Sequence, residues 1–495
     1  MKKSAAAMIL ALCLLLTSAL AGAESYVLGG FDTASSGHDW DNNLFFRRME
    51  ERTGISFSFR QYTDAEEYGV YLRQLLNGEE TLPDALFKAS LSPAETLRLY
   101  EAGLLIDLAP YLSEAMPNLS ALLDEHPEWK KAITLPDGAI AALPQINELQ
   151  TNNVVWINTR WLSAVRREMP KTAEELTETL RAFKAEDPNR NGRADEIPLT
   201  FTGLWDLRFL AHAFGIISND YYITVKDGAA VSTLTSPENR AFLSWLREMY
   251  AEGLMDSRGF SSSDTLRQIT DSNAAITYGV IFGPTPLAMV PAGAAADYEA
   301  LLLEYNGETV YRSLLGDLSR GTFAVTSACK NPAELLSWAD YFYTEEGLYL
   351  AFVGVEGEEY TRLSDGTWSW NDDSTTVAEV VLKEDNIGEG AMMPAYLPME
   401  YQLSYDDAST HQLVLQLARL KESSVEPCPQ VYLTEEQTAR LNEIWPALNA
   451  YAETQMAWFV AGDVPLNDET WAEFTAEAER LGLNELTAFF QEALK

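Results

Sequence analysis

The chain has 495 residues, with 74 Asp and Glu against 35 Lys and Arg, a formal charge of −39. A field of that sign repels nucleic acid and anionic membrane, and it steers polyanions only where Lys or Arg cluster locally. Apolar residues make up 47% of the chain, ample for the cores of two or three domains.

Met1-Lys2-Lys3 is a charged start, Ser4 to Leu20 an apolar run, and Ala19-Leu20-Ala21-Gly22-Ala23 a small-residue end with A-x-A sites. Residues 1–23 therefore read as a cleavable signal peptide, cut after Ala23. The apolar run is short for a membrane span. The protein is expected outside the cytoplasm, exported and soluble. Removing the leader takes Cys13 with it and leaves Cys329 and Cys428. One disulfide and two buried thiols are equally open for that pair. There is no C-x-x-C, and His38, His126, His212 and His411 are scattered, so neither a zinc nor a redox site is indicated.

From Tyr26 the patterns alternate. Tyr26–Gly30 reads as a strand, Leu44–Thr53 as a helix stopped by Gly54, and Ile55–Phe59 as a strand. Ala65–Leu76 reads as a helix, and Asp84–Phe87 as a buried strand. Gly138–Pro144 reads as another strand, opening into the polar run Gln145–Asn153, a first hinge crossing. A second unit of the same kind runs from Val154 to about Leu315. Alternating strands and helices imply an α/β fold with parallel sheets. Gly321–Thr326 is a strand, and Met392–Tyr396 a crossing back. The C-terminus is helical, with Thr434 and Asn467 as caps.

The run Asp187-Pro188-Asn189-Arg190-Asn191-Gly192-Arg193-Ala194-Asp195-Glu196 has side-chain oxygens at loop positions 1, 3, 5, 9 and 10 and glycine at position 6. Ca²⁺ takes six to eight oxygens, from alternate side chains and the carbonyl of position 7, here Arg193. The usual EF-hand closes with Glu at position 12; here Glu196 arrives at position 10. The competing explanation is a polar turn in which Asp and Asn bond their own backbone. Thr172-Ala173-Glu174-Glu175 opens the preceding helix as a capping box, and Ile197-Pro198-Leu199 follows as a strand.

The stretch Trp156–Leu162, then Pro170-Lys171-Thr172, then Asp195-Glu196-Ile197-Pro198-Leu199 resembles the extracellular solute-binding proteins that serve carbohydrate ABC importers. Thr326–Cys329 with Lys330-Asn331-Pro332, Ala339–Tyr343 and Glu345-Glu346-Gly347 resemble a family helix. Phe459–Gly462, Pro465-Leu466-Asn467 and Leu481-Gly482-Leu483 resemble its C-terminal helices. Together these pieces cover nearly the whole mature chain. The resemblance implies a two-lobed, periplasmic-binding-protein-like α/β fold: two discontinuous α/β domains joined by hinge crossings, with a helical C-terminus. The lobes would be 24–146 with about 317–390, and 147–316 with about 391–495. In the oligosaccharide-binding branch, the matching loop is a structural calcium site. Here it would comprise Asp187, Asn189, Asn191, Arg193, Asp195 and Glu196. Many members are lipoproteins, but Cys13 lies inside the apolar run rather than just after it. A free secreted or periplasmic protein is therefore expected.

No spacing singles out a pair of catalytic carboxylates, and there is no G-x-S-x-G, H-E-x-x-H or phosphate-binding Gly loop. Sugar binding needs flat apolar faces and planar polar groups. Trp245, Trp338, Trp445 and Trp458 lie in helical patterns and are assigned to packing. Trp40 and Trp205 sit in polar or Gly-containing segments after strands. Tyr278 and Phe282 flank Gly279 after the expected strand Ala274–Thr277, and Tyr396 follows a crossing. Gln145 and Asn147 lie at the first hinge, and Ser90 follows the Phe87 strand. These eight are the expected ligand residues. The expected function is capture of an oligosaccharide by hinge closure, without catalysis, by a monomer that delivers it to ABC permease subunits. The alternatives are a secreted polysaccharide-active enzyme and a same-fold protein feeding a membrane sensor.

Overall fold

The computed structural model describes residues 24–150, 153–260, 276–312, 317–371, 381–406 and 408–494. The leader with Cys13, and Ala274-Ala275 of the expected strand, lie outside the described residues. In chain order the strands are β1 (Glu24–Phe31), β2 (Ile55–Tyr62), β3 (Ala85–Phe87), β4 (Leu143–Asn147), β5 (Val154–Asn158) and β6 (Ile197–Leu199). The hairpin β7–β8 (Ile223–Lys226, Ala229–Ser232), β9 (Tyr278–Gly283), β10 (Tyr298–Ala300), the hairpin β11–β12 (Glu304–Tyr305, Glu308–Thr309) and β13 (Tyr311–Arg312) follow. The last are β14 (Leu318–Val325), the hairpin β15–β16 (Tyr360–Arg362, Trp368–Trp370), β17 (Ala395–Leu397) and β18 (Ser424–Val425).

Two main sheets result. The first has six strands in the order β17-β4-β14-β3-β1-β2, the second four in the order β10-β5-β9-β6. Local signals set the helices between them. Asn43 caps Leu44–Thr53 by accepting from Phe45 N, and Gly54 ends it at φ 75°. Phe45, Phe46 and Met49 bury one face of that helix, which packs on β2. Alternation places Ala85 and Phe87 of β3, with Phe323 and Val325 of β14, in one core. Leu86 and Ala324 point into the other. The first sheet is thus covered on both faces. The second sheet's core gathers Trp156, Phe183, Val280, Leu246 and Leu448 from β5, β9 and the helices Ala173–Ala185, Pro237–Ala251 and Glu435–Ala461.

The expected parallel sheets are mixed. β1, β2, β3, β4 and β17 run one way and β14 runs against them. In the second sheet β6 and β9 are parallel, and β5 runs against β9. The reason lies in the crossings. β4 ends at Asn147, and β5 begins at Val154 beside Gly283, the carboxyl end of β9. β14 re-enters the first sheet at Leu318, beside Ile146 near the carboxyl end of β4. A strand that enters at a carboxyl edge must run antiparallel to its neighbours. β17 still pairs with β4, Leu397 opposite Asn147, so the third crossing follows Leu397 instead of lying at Met392–Tyr396. All three crossings therefore share the carboxyl edge of the first sheet, and the first enters the second sheet at its carboxyl edge.

The expected strand Gly138–Pro144 begins only at Leu143. The backbone before it pairs with a loop: Ile140 N donates to Asp107 Oδ1 at 3.0 Å, and Leu108 N donates to Ile140 O at 2.7 Å. Trp458, assigned to packing, is 43% exposed. Cys329 and Cys428 are not bonded to each other; they belong to different cores. No helix of the described residues is long and apolar enough to cross a membrane.

Candidate functional site

In open α/β sheets, ligands bind outside the carboxyl ends of the strands. Here those ends are also where the chain crosses, so the loops after β1, β3, β4, β6 and β9 face the junction of the two sheets. Of the expected ligand residues, Gln145, Asn147 and Tyr396 come together on the β4–β17 seam. Gln145 is buried and donates through Nε2 to Met393 O at 3.2 Å. Asn147 Oδ1 accepts from Gln402 Nε2 at 2.8 Å. The Tyr396 hydroxyl donates to Glu148 Oε1 at 2.7 Å. Its ring lines a hollow of about 420 Å³ with Tyr343, Tyr349, Arg362, Glu400 and Tyr401. Burial and the Glu148 carboxylate raise the phenol pKa.

Ser90 is exposed after β3, in a left-handed backbone at φ 45°, and Lys88 shares that conformation at φ 47°. Trp205 lies in the short helix Leu204–Leu207, which follows β6, and is 39% exposed. Three expected rings are buried. Trp40 packs edge-on against Phe59 and Phe87 and tilted on Phe46, and its indole donates to Asp32 at 3.3 Å. A polar loop was compatible with exposure, but a buried partner for the indole N–H permits full burial instead. Tyr278 and Phe282 lie within β9, because that strand begins at Tyr278 rather than ending before it. Every residue of β9 is buried.

Two constellations at these edges carried no sequence signal. In the first lobe, Asp32 Oδ2 accepts from Lys88 Nζ at 2.7 Å and lies 2.7 Å from His38 Nδ1, while Oδ1 accepts from Ala391 N at 3.0 Å. Lys88 also donates to Glu389 O. Lys88 and Asp32 are both fully buried. Burial pushes Lys88 down to about 8, with Asp32 opposing. Burial pushes Asp32 up, but the His38 hydrogen bond and the Lys88 charge outweigh it and leave it lowered. The network holds the segment Asn386–Met393 along the edge.

In the second lobe, Asp220 Oδ1 accepts from Trp205 Nε1 at 3.2 Å and from Arg312 Nη2 at 3.1 Å. Nearby, Asp206 accepts from Asn153 Nδ2 and from Thr202 N and Oγ1, each at 2.8 Å. These bonds tie the first crossing to the helix carrying Trp205. Only a companion in space distinguishes Asp32 or Asp220 from the other carboxylates of an acid-rich chain.

The loop Asp187–Glu196 closes between the helix Ala173–Ala185 and β6. Gly192 sits at φ 75° and Asp187 at φ 45°. The Asp187 carboxylate accepts from Asn191 N and Gly192 N, both at 3.1 Å. Asn189 and Asn191 turn their NH2 groups onto Asp195 Oδ1, at 3.2 and 2.9 Å. Glu196 Oε1 is buried with no partner, and burial, then Asp187 and Asp195, raise its pKa. Among the described residues no group of three or more His, Cys, Asp or Glu is disposed to hold a metal. Here the two Asn amides stand among the carboxylates. The Glu196 oxygen beside the Asp187 and Asp195 carboxylates is the feature that a self-bonded turn leaves unpartnered.

No family model matches the chain. The fructooligosaccharide ABC transporter substrate-binding protein FusA of Streptococcus pneumoniae is 29% identical, covering 93% of this chain and 89% of its own. Solved structures of FusA, with kestose and as an EF-hand mutant with fructo-nystose, are 25% identical and superpose at TM-scores of 0.71 and 0.73. Each covers 95% of this chain and 99% of its own. The extracellular solute-binding protein from Bifidobacterium longum subsp. infantis, 20% identical, shares the fold at TM-score 0.80 over 95% of this chain and 98% of that one. With this fold, and a relative matched along most of both chains, the protein is similar to the extracellular solute-binding proteins of carbohydrate ABC transporters.

Proposed function

We propose that the protein captures an oligosaccharide between the facing carboxyl edges of its two sheets and passes it to the permease subunits of an ABC importer. One observation carries this reading: Trp205 is exposed on the short helix after β6, which Asp206 and Asn153 tie to the first crossing. A ring held there can meet a sugar and be covered when the lobes close. FusA is named as a fructooligosaccharide-binding component, which supports a glycan as ligand. No catalysis is proposed. The acting species is proposed to be a monomer, exported with its leader removed before Glu24, where β1 begins.

A structural Ca²⁺ belongs to the same reading. The carboxylates of Asp187, Asp195 and Glu196, the amide oxygens of Asn189 and Asn191 and the Arg193 carbonyl would hold it. Its charge would tie the end of one helix to β6. A thermal-shift screen against an oligosaccharide panel tests capture, since a ligand bound only by the native state raises the melting temperature. A panel that shifts nothing, or releases new reducing ends, refutes it.

A further inference from the structure

We infer that Trp205 and Asp220 form the principal sugar subsite of the second lobe, and that this subsite selects uncharged glycans over uronate-bearing ones. The inference rests on the glycan-capture reading.

Trp205 is fixed before any ligand arrives. Its indole donates to Asp220, and Phe209 packs edge-on to it with centroids 5.1 Å apart. Asp220 is itself 54% exposed in its side chain. Its Oδ1 serves Trp205 and Arg312, while Oδ2 has no partner among the described residues. A flat ring beside a free carboxylate oxygen matches the two faces of a neutral sugar. The ring takes the C–H face, and vicinal hydroxyls donate to the carboxylate.

The cations around this pair are turned away. Arg312 is 2% exposed, donates to Ser218 O and lies over Phe209 at 5.0 Å. Arg208 is 9% exposed, donates to Asn219 O and lies over Tyr222 at 4.2 Å. The two arginines neutralise Asp220 from below and leave an acceptor surface above. A hydroxyl gains a charge-assisted hydrogen bond there, whereas a uronate carboxylate meets like charge, and the unpartnered guanidinium nitrogen beside Asp220, Arg312 Nη1, is buried.

Calorimetry decides it. The probes are neutral trisaccharides (kestose, maltotriose, mannotriose, xylotriose) and acidic ones (trigalacturonate, trimannuronate). The expected result is that wild type binds a neutral trisaccharide at least tenfold tighter than any acidic one. Trp205→Ala and Asp220→Asn should each lose tenfold or more. Trp458→Ala, which removes an exposed tryptophan from the C-terminal helix, should lose nothing. Asp220→Asn strips Arg312 of its counter-charge, so Asp220→Glu, which keeps the charge and moves the oxygens, is the second variant and should lose a similar factor. An acidic trisaccharide that binds wild type as tightly as the best neutral one overturns the inference. So does wild-type affinity in folded Trp205→Ala and Asp220→Glu proteins, while leaving capture itself standing. Silence of wild type towards every glycan overturns capture, and this subsite with it.

Discussion

The Tyr396 hydroxyl donates to Glu148 Oε1 at 2.7 Å, and the other oxygen of that carboxylate accepts from Met399 N at 2.9 Å. With Gln402 on Asn147, these bonds clip the first crossing to the third. Crossings joined this way are expected to move together if the lobes close. Tyr396→Phe should cost about 1–2 kcal/mol of stability, and Glu148→Ala more, because Met399 N then loses its acceptor. Urea unfolding of the two single variants and the double variant checks the coupling. Strict additivity would show that the clip contributes nothing of its own.

The first-lobe edge depends on Gly390. Its φ is +84°, and a Cβ there would stand 2.1 Å from Asp32 Oδ1. Gly390→Ala should lose about 1–3 kcal/mol through crowding. Lys88→Met leaves Asp32 buried without its counter-charge and should lose more, about 3–5 kcal/mol. Both are read by chemical denaturation at neutral pH. Wild-type midpoints would dismiss the network as a structural device.

His212 supplies a pH dependence. It is buried, accepts from Leu303 N at 3.3 Å, and burial pushes its pKa from 6.5 down to about 4. Between those values the unfolded chain binds a proton that the folded chain excludes, so stability falls as pH falls through that window. The loss from this group should be on the order of 2 kcal/mol by pH 5. His212→Gln should flatten the profile between pH 6.5 and 5. An unchanged slope would place the acid sensitivity elsewhere.

Calcium should act on stability through the loop Asp187–Glu196. At about 100 times its Kd, the ion adds about 3 kcal/mol, several degrees of melting temperature for a chain of this size. A chelator should lower the melting temperature by that amount, and Asp187→Ala should abolish the response. A melting curve indifferent to chelation in the wild type counts against the site.

What could be read from the residues alone was whatever is settled within a few positions of chain. Thr172, Thr434 and Asn467 cap the helices expected of them, and Gly54 stops the helix expected before it, because a cap, an apolar period and a stop all act within neighbouring turns. The loop from Asp187 was legible for the same reason: its oxygens and its glycine lie in one short run. Burial of a loop aromatic is different, because it depends on distant segments. Trp40 and Trp205 look alike in sequence, each after a strand in polar company. Trp40 is buried because Phe59 and Phe87 arrive from β2 and β3 and Asp32 waits inside for its N–H. Trp205 stays exposed because its partner, Asp220, is itself at the surface. Glu148 meets Tyr396 across 248 positions of chain, and only the shared edge of the two sheets brings them together. Local propensity and spacing determined the elements and the turn at Asp187–Glu196. Long-range packing alone decided which polar groups are paired, which ring is left exposed, and how the crossings are held together.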